Sequence, residues 1–195
     1  MNKRLCSTSL LAALLWPALA SAEEIAINDQ ALIHNSGQFN SGLVSINQAA
    51  GEHNQQSNQR VIQQGGSAGP SAQLNQFNSN AISNTARQAS AEIEGAAFAN
   101  SAGVLSVNQS AGAANQQANL FVLHCAETAL NDQELASASA LTQVNTSSPA
   151  LEGDYRVALD EQAFVNSRGV VQLNQSAGVG NRTANTISIR VLEGL

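Results

Sequence analysis

The sequence predicts an all-β fold, a three-layer β-solenoid-like repeat stack of about 35 residues per repeat with flexible connectors. Three observations predict it. A segment recurs three times without a gap: GLVSINQAAGEHNQQSN at 42–58, GVLSVNQSAGAANQQAN at 103–119 and GVVQLNQSAGVGNRTAN at 169–185. Inside each copy, apolar residues alternate with small polar ones: Val44 and Ile46, Leu105 and Val107, Val171 and Leu173. That period of two belongs to a half-buried strand. Asn and Gln make up 39 of the 173 residues from Glu23 onward, alongside five Phe and one Tyr, too little apolar bulk for a conventional globular core.

Taken in order, the chain opens on a secretory signal. Lys3 and Arg4 precede the apolar stretch centred on Leu10–Leu15, and Ala18-Leu19-Ala20-Ser21-Ala22 supplies the small residues of a cleavage site. The apolar run falls short of the roughly 20 residues that span a bilayer. Cleavage after Ala22 leaves 14 acidic residues against six Arg and no Lys, a formal charge of −8. Such a balance argues against nucleic acid and anionic membrane as partners.

The first repeat reads as 25–62, the second as 91–123 and the third as 155–191, with connectors at 63–90 and 124–154. Each repeat reads as strand, turn, strand, turn, strand. Ile25-Ala26-Ile27, Ala91-Glu92-Ile93 and Val157-Ala158-Leu159 align as the opening strand, followed by Ala31, Ala97 and Ala163 and then Leu32, Phe98 and Phe164. On this alignment the first copy carries about five extra residues at 38–42, which loop-closure entropy tolerates cheaply. The second strand is the alternating segment. Ala50-Gly51, Ala111-Gly112 and Ala177-Gly178 read as the turn that ends it. The third strand starts at the Asn of Asn-Gln-Gln or Asn-Arg-Thr. The first connector opens on a flexible Gly-rich run, with LNQFNSNAISN as a weak strand extension. In the second connector, 132–144 reads as a marginal helix before the Asn-Thr-Ser-Ser-Pro loop. Both connectors read as partly disordered.

Equivalent residues match, so in-register stacking sets like on like at the 4.7–4.8 Å strand spacing of about one layer. An amide carries both donor and acceptor, so a column of amides satisfies itself, whereas a column of charges repels. The candidate ladder is therefore Asn47, Asn108 and Asn174; Gln48, Gln109 and Gln175; Asn54, Asn115 and Asn181; and Asn58, Asn119 and Asn185. Arg182 and Thr183 interrupt the rows begun by Gln55 and Gln56. Apolar rows Ile46/Val107/Leu173 and Ile62/Leu123/Ile189 are the expected burial. The second copy, with every amide intact, is the expected middle layer.

No catalytic or metal constellation stands out. His124 and Cys125 are adjacent, so on a strand they face opposite ways and do not form a nucleophilic dyad. His34, His53 and His124 are scattered, and Asp154 with Asp160-Glu161 reads as a solvated turn, not a metal site. Gly65-Gly66 lacks the Lys and the strand–helix context of a phosphate loop. Cys125 is the one cysteine after the signal, which leaves a buried thiol or an intermolecular disulfide open. No cofactor is expected, and the chain does not read as an enzyme.

The block GVLSVNQSAGAANQQAN, with its NQQAN ending and its three-repeat, two-connector arrangement, resembles the repeats of the Pseudomonas-type functional amyloid (Fap) fibrillins. The resemblance implies a secreted structural protein, a subunit or minor component of extracellular amyloid fibrils in the biofilm matrix. It implies as partners the chain itself, related fibrillin subunits and an outer-membrane export machinery. The competing reading is a monomeric β-repeat surface adhesin, or a periplasmic chaperone-like accessory of fibril assembly.

Overall fold

The computed structural model describes residues 26–65, 72–78, 86–126, 139–144 and 153–192. The proposed signal lies outside them. Among the described residues there are eleven strands and no helix. The first repeat supplies β1 (Ile27–His34), β2 (Ser41–Ala50) and β3 (Gln55–Gln64). After β4 (Gln73–Asn78) in the first connector, the second repeat supplies β5 (Arg87–Glu94), β6 (Ala102–Ala113) and β7 (Gln116–Ala126). Next, β8 (Ser139–Val144) lies in the second connector. The third repeat supplies β9 (Gly153–Leu159), β10 (Arg168–Val179) and β11 (Arg182–Leu192).

Each repeat folds back and forth in one layer, and the layers stack. Stacking generates three parallel sheets with strand orders β1-β5-β9, β2-β6-β10 and β3-β7-β11, so the second repeat is the central strand of all three. Register is residue on residue: Asn47 pairs with Asn108 and Asn108 with Asn174, while Asn58 pairs with Asn119 and Asn119 with Asn185. A parallel sheet needs a long crossover to bring the chain back to the same end. Here each connector supplies it.

The middle sheet is packed on both faces. One face sets Val44, Ile46, Leu105, Val107 and Leu173 against Ile33, Ile93 and Phe98. Farther along, Ala50, Ala111 and Ala177 meet Ala31, Ala89 and Ala91, small residues where the first two sheets approach closely. The other face carries the asparagines. The half-buried strand expected from the alternation is therefore corrected for β6: Ser106, Asn108 and Ser110 are as buried as Leu105 and Val107. Its polar face meets a third sheet instead of water. β4 and β8 form a parallel pair, and Ala72 before β4 packs on Val61, Leu120 and Val122 of the third sheet's outer face.

Several further expectations change. The opening strands pair Ala31-Leu32-Ile33 with Ala91-Glu92-Ile93 and Val157-Ala158-Leu159, six residues later in the first repeat than the sequence alignment placed them. A slip of six preserves strand parity, so alternation alone does not detect it. With that shift the five-residue insertion disappears: residues 35–40 link β1 to β2, against 95–101 between β5 and β6. Gly37, not Leu32, lies over Phe98, where any Cβ at 37 would come within 2.6 Å of the ring. Phe98 stacks on Phe164 with ring centroids 5.1 Å apart. Both phenylalanines sit at positive φ, 59° and 60°. Burying the Phe98 ring offsets the roughly 1–2 kcal/mol that such a backbone costs.

The Ala-Gly pairs are not turns in the second and third repeats. β6 and β10 run through them, and the chain bends at Ala114-Asn115 and Gly180-Asn181. The helix expected at 132–144 is corrected over 139–144, which is strand β8; 132–138 lie outside the described residues. The row Ile62/Leu123/Ile189 is only partly buried: Ile62, in the first layer, is 53% exposed, and Leu123 and Ile189 are half-buried.

Candidate self-assembly site

The twelve amides singled out in the sequence form four columns, one residue per layer. Alternation along β2, β6 and β10 sends neighbouring amides to opposite faces of the middle sheet. Asn47, Asn108 and Asn174 point to the third sheet, and Gln48, Gln109 and Gln175 to the first.

In the first column, Asn108 Nδ2 donates to Asn47 Oδ1 at 2.9 Å and Asn174 Nδ2 to Asn108 Oδ1 at 2.9 Å. Opposite it, Asn119 donates to Asn58 at 2.9 Å and Asn185 to Asn119 at 3.1 Å. The two columns are cross-linked in every layer: Asn58 to Asn47 at 2.8 Å, Asn119 to Asn108 at 3.0 Å and Asn185 to Asn174 at 2.9 Å. Asn108 and Asn119 have no solvent exposure. A buried amide without partners is costly, but a closed network removes that cost and fixes the register.

The glutamine column ties the middle sheet to the first. Gln109 Nε2 donates to Gln48 Oε1 and Gln175 Nε2 to Gln109 Oε1, each at 2.9 Å. The same nitrogens reach backbone carbonyls of the first sheet, Gln109 to Glu92 at 2.8 Å and Gln175 to Ala158 at 2.8 Å. The Asn54 column sits at the bend. Asn115 Nδ2 donates to Asn54 Oδ1 at 3.0 Å, and Asn181 Nδ2 to Asn115 Oδ1 at 2.9 Å. The backbone N–H groups of Asn115 and Asn181 donate to the same two oxygens, at 3.0 and 3.1 Å. Backbone donors thus fix the direction of the column bonds, each running from NH2 to the side-chain oxygen of the preceding layer. The side-chain nitrogens also reach a main-chain carbonyl of the following layer, Gly112 from Asn54 at 2.9 Å and Gly178 from Asn115 at 3.0 Å.

All four columns share that polarity, and the row begun by Gln55 starts with it, Gln116 Nε2 donating to Gln55 Oε1 at 3.0 Å. It stops at the third layer, where Arg182 replaces the amide and Gln116 Oε1 is buried without a partner. The Gln56 row runs the other way, Gln56 Nε2 to Gln117 Oε1 at 2.9 Å, and ends at Thr183, whose hydroxyl oxygen is buried and unpartnered.

Sequence reasoning passed over two parts of this arrangement. One is the glycines. At Gly103 a Cβ would lie 2.1 Å from the carbonyl oxygen of Gly42, and at Gly112 it would lie 2.0 Å from that of Gly178. The matching glycines of the three copies were the available signal, since stacked backbones leave no room for a side chain. The other is a buried ion cluster. Arg87 is 1% exposed, pairs with the Asp29 carboxylate and reaches Glu52 Oε1 at 2.8 Å, tying the first two layers together. In the first repeat Arg60 donates to the carbonyl oxygen of Val44 and to the Ser45 hydroxyl. Partial burial pushes its guanidinium below its usual value, and it remains a cation at neutral pH.

Among the described residues no group of three His, Cys, Asp or Glu gathers into a metal site. His124 is 2% exposed and Cys125 is partly buried.

Among the described residues no strand pairs beyond the first or the third layer, so the ladder has two open ends there. The middle layer is buried almost throughout, while β2 and β10, on either side of β6, alternate between exposed or half-buried and better-covered positions. No solved structure matches this chain. The model of the functional amyloid protein FapB/FapC family matches residues 17–192. The chain belongs to the FapB/FapC functional amyloid family.

Proposed function

We propose that this functional amyloid protein is a secreted fibril subunit of the biofilm matrix, which grows by setting the first layer of one copy on the third layer of another. The observation that carries the proposal is the polarity of the amide columns. NH2 groups point toward the first-layer end and carbonyl oxygens toward the third-layer end, so unlike ends are complementary. Continuing the register places Asn47 of an incoming copy next to Asn174, and its Asn58 next to Asn185. Two unlike ends joined this way form a heterologous contact that does not close, which yields a fibre. Each end layer also presents unpaired strand edges, the usual template for adding another chain. The signal read at 1–22 and the family's character support export through the outer membrane to the cell exterior, with related fibrillin subunits as further partners.

Incubating the purified chain from Glu23 onward tests this. The expected product is a thioflavin-positive fibre with a meridional reflection near ~4.8 Å. A chain that stays monomeric in sedimentation, alone and with fibril seeds, would sink the proposal and favour an adhesin or an assembly accessory.

A further inference from the structure

One column in the first sheet is charged. His34 of β1 pairs in register with Glu94 of β5, and His34 Nδ1 lies 3.6 Å from Glu94 Oε2. Asp160 follows directly, because its backbone N–H donates to the Ile93 carbonyl at 2.8 Å and so extends the β5–β9 register by one residue. From first layer to third the column reads His, Glu, Asp. Within one chain the order is poor, since Glu94 and Asp160 set like charges on adjacent strands. The other charged groups at this site are Arg156, which lines the same groove, and Glu92, which Arg156 reaches at 3.4 Å. Asn35 contributes a neutral amide, 2.8 Å from His34 Nε2. Gln48, from the sheet packed behind, is a neutral amide that donates to the Leu32 carbonyl oxygen.

A second copy changes the order. If the first layer of a copy adds to the third layer of its neighbour in continued register, His34 arrives beside Asp160. Each imidazole then sits between Glu94 of its own chain and Asp160 of the next. The other charged residues in the paired strands of the end layers meet neutral partners under the same register: Asp154 meets Asn28, Arg156 meets Gln30, Arg168 meets Ser41, Arg182 meets Gln55, Arg190 meets Gln63, Asp29 meets Tyr155 and Arg60 meets Ile187. Among the described register rows, His34 with Asp160 brings charge to charge, and the signs are opposite.

We infer that His34 of one copy and Asp160 of the next form a charge-specific contact at the joint between copies, strengthened when the imidazole takes up a proton. The inference rests on the stacking proposed above. Histidine gains its charge between about pH 8 and 5, so acidification over that range favours the joint.

The test is seeded elongation followed at about pH 7.5 and about pH 5.5, either side of the ordinary histidine range. The wild-type chain is expected to elongate about two- to fivefold faster at the lower pH, the scale of an exposed ion pair. His34→Gln and Asp160→Asn should still elongate and lose that difference. His34→Lys should elongate at the higher pH as fast as wild type does at the lower. His53→Gln, altered in an exposed bend, should keep the full wild-type difference. A His34→Gln variant that retains the full pH difference overturns the joint alone. A wild-type chain that fails to elongate on its own seeds at both pH values overturns the stacking and the joint together.

Discussion

Asn108 donates from Nδ2 to Oδ1 of Asn47 across 2.9 Å, and the two residues are 61 positions apart in the chain. The same nitrogen lies 3.0 Å from the Ser57 carbonyl oxygen and 3.1 Å from Asn58 Oδ1, so its two hydrogens are shared among three acceptors. One amide thus joins two layers and two sheets, in a place where water does not reach. The columns are therefore the buried seam of the molecule, in addition to ending at its two open faces.

Asn108→Asp replaces that nitrogen with an oxygen and sets a carboxylate among acceptors. An unpaired buried charge costs about 3–5 kcal/mol. The substitution should lower the urea midpoint of the monomer and slow fibril growth, and Asn47→Asp, in the exposed first layer, should do far less to the monomer. Equal midpoints for the two variants would show that burial of the column is not what stabilises it.

Glycine substitutions separate stacking within a chain from stacking between chains. Gly112→Ala puts a methyl 2.0 Å from the Gly178 oxygen at a φ of +105°, and should destabilise the monomer by about 3 kcal/mol or more. Gly42→Ala has nothing within 4 Å in one chain, so only its positive φ counts, about 1–2 kcal/mol. In a fibre, Gly42 meets Gly169 of the next copy as Gly103 meets Gly42. The Gly42→Ala chain should thus stay folded by circular dichroism while its elongation stops. Normal elongation of this variant would count against register-continuing growth.

Removing the cation of the buried ion cluster exposes its cost. Arg87→Met leaves the Asp29 carboxylate buried without its partner, for a loss of about 3–5 kcal/mol. Adding Asp29→Leu should recover most of that loss, because an apolar pair of similar size replaces a buried ion pair at little cost. A double variant no better than Arg87→Met would mean that packing, not charge, dominates at this position.

The broken glutamine row is open to repair. Arg182→Gln places an Nε2 over the orphaned Gln116 Oε1 in the direction the row already runs. One such hydrogen bond contributes about 0.5–1.5 kcal/mol. The variant should unfold at higher urea concentration than the wild-type chain; an unchanged or lower midpoint would leave the row account without support.

Face parity and internal register were legible in the sequence because both are written in local pattern. Val44 and Ile46 against Ser45 and Asn47 reveal two faces, and matched positions 61 and 66 residues apart reveal which residues share a column. The intact second copy was legible as the middle layer for the same reason. The opening strand was not. Ile27 and Ile33 share parity, and only the packing of Ile33 against Val107 and Phe98 separates them. Nothing local separates the β8 segment from a helix, because its short run lacks a distinguishing period and its partner Gln73–Asn78 lies far back in the chain.

By itself, the sequence determined that there are three layers, that strands build them and that amides meet amides. Those conclusions rest on repetition, and repetition is visible in one dimension. Tertiary structure decided what each face meets. The asparagine face, which alternation assigns to water, is closed by the third sheet. The glycines are held by the oxygen of the next backbone. Arg87 finds Asp29 and Glu52 58 and 35 residues away. Periodicity states which way a side chain points. What lies in that direction depends on contacts between distant segments, and those exist only once the layers have stacked.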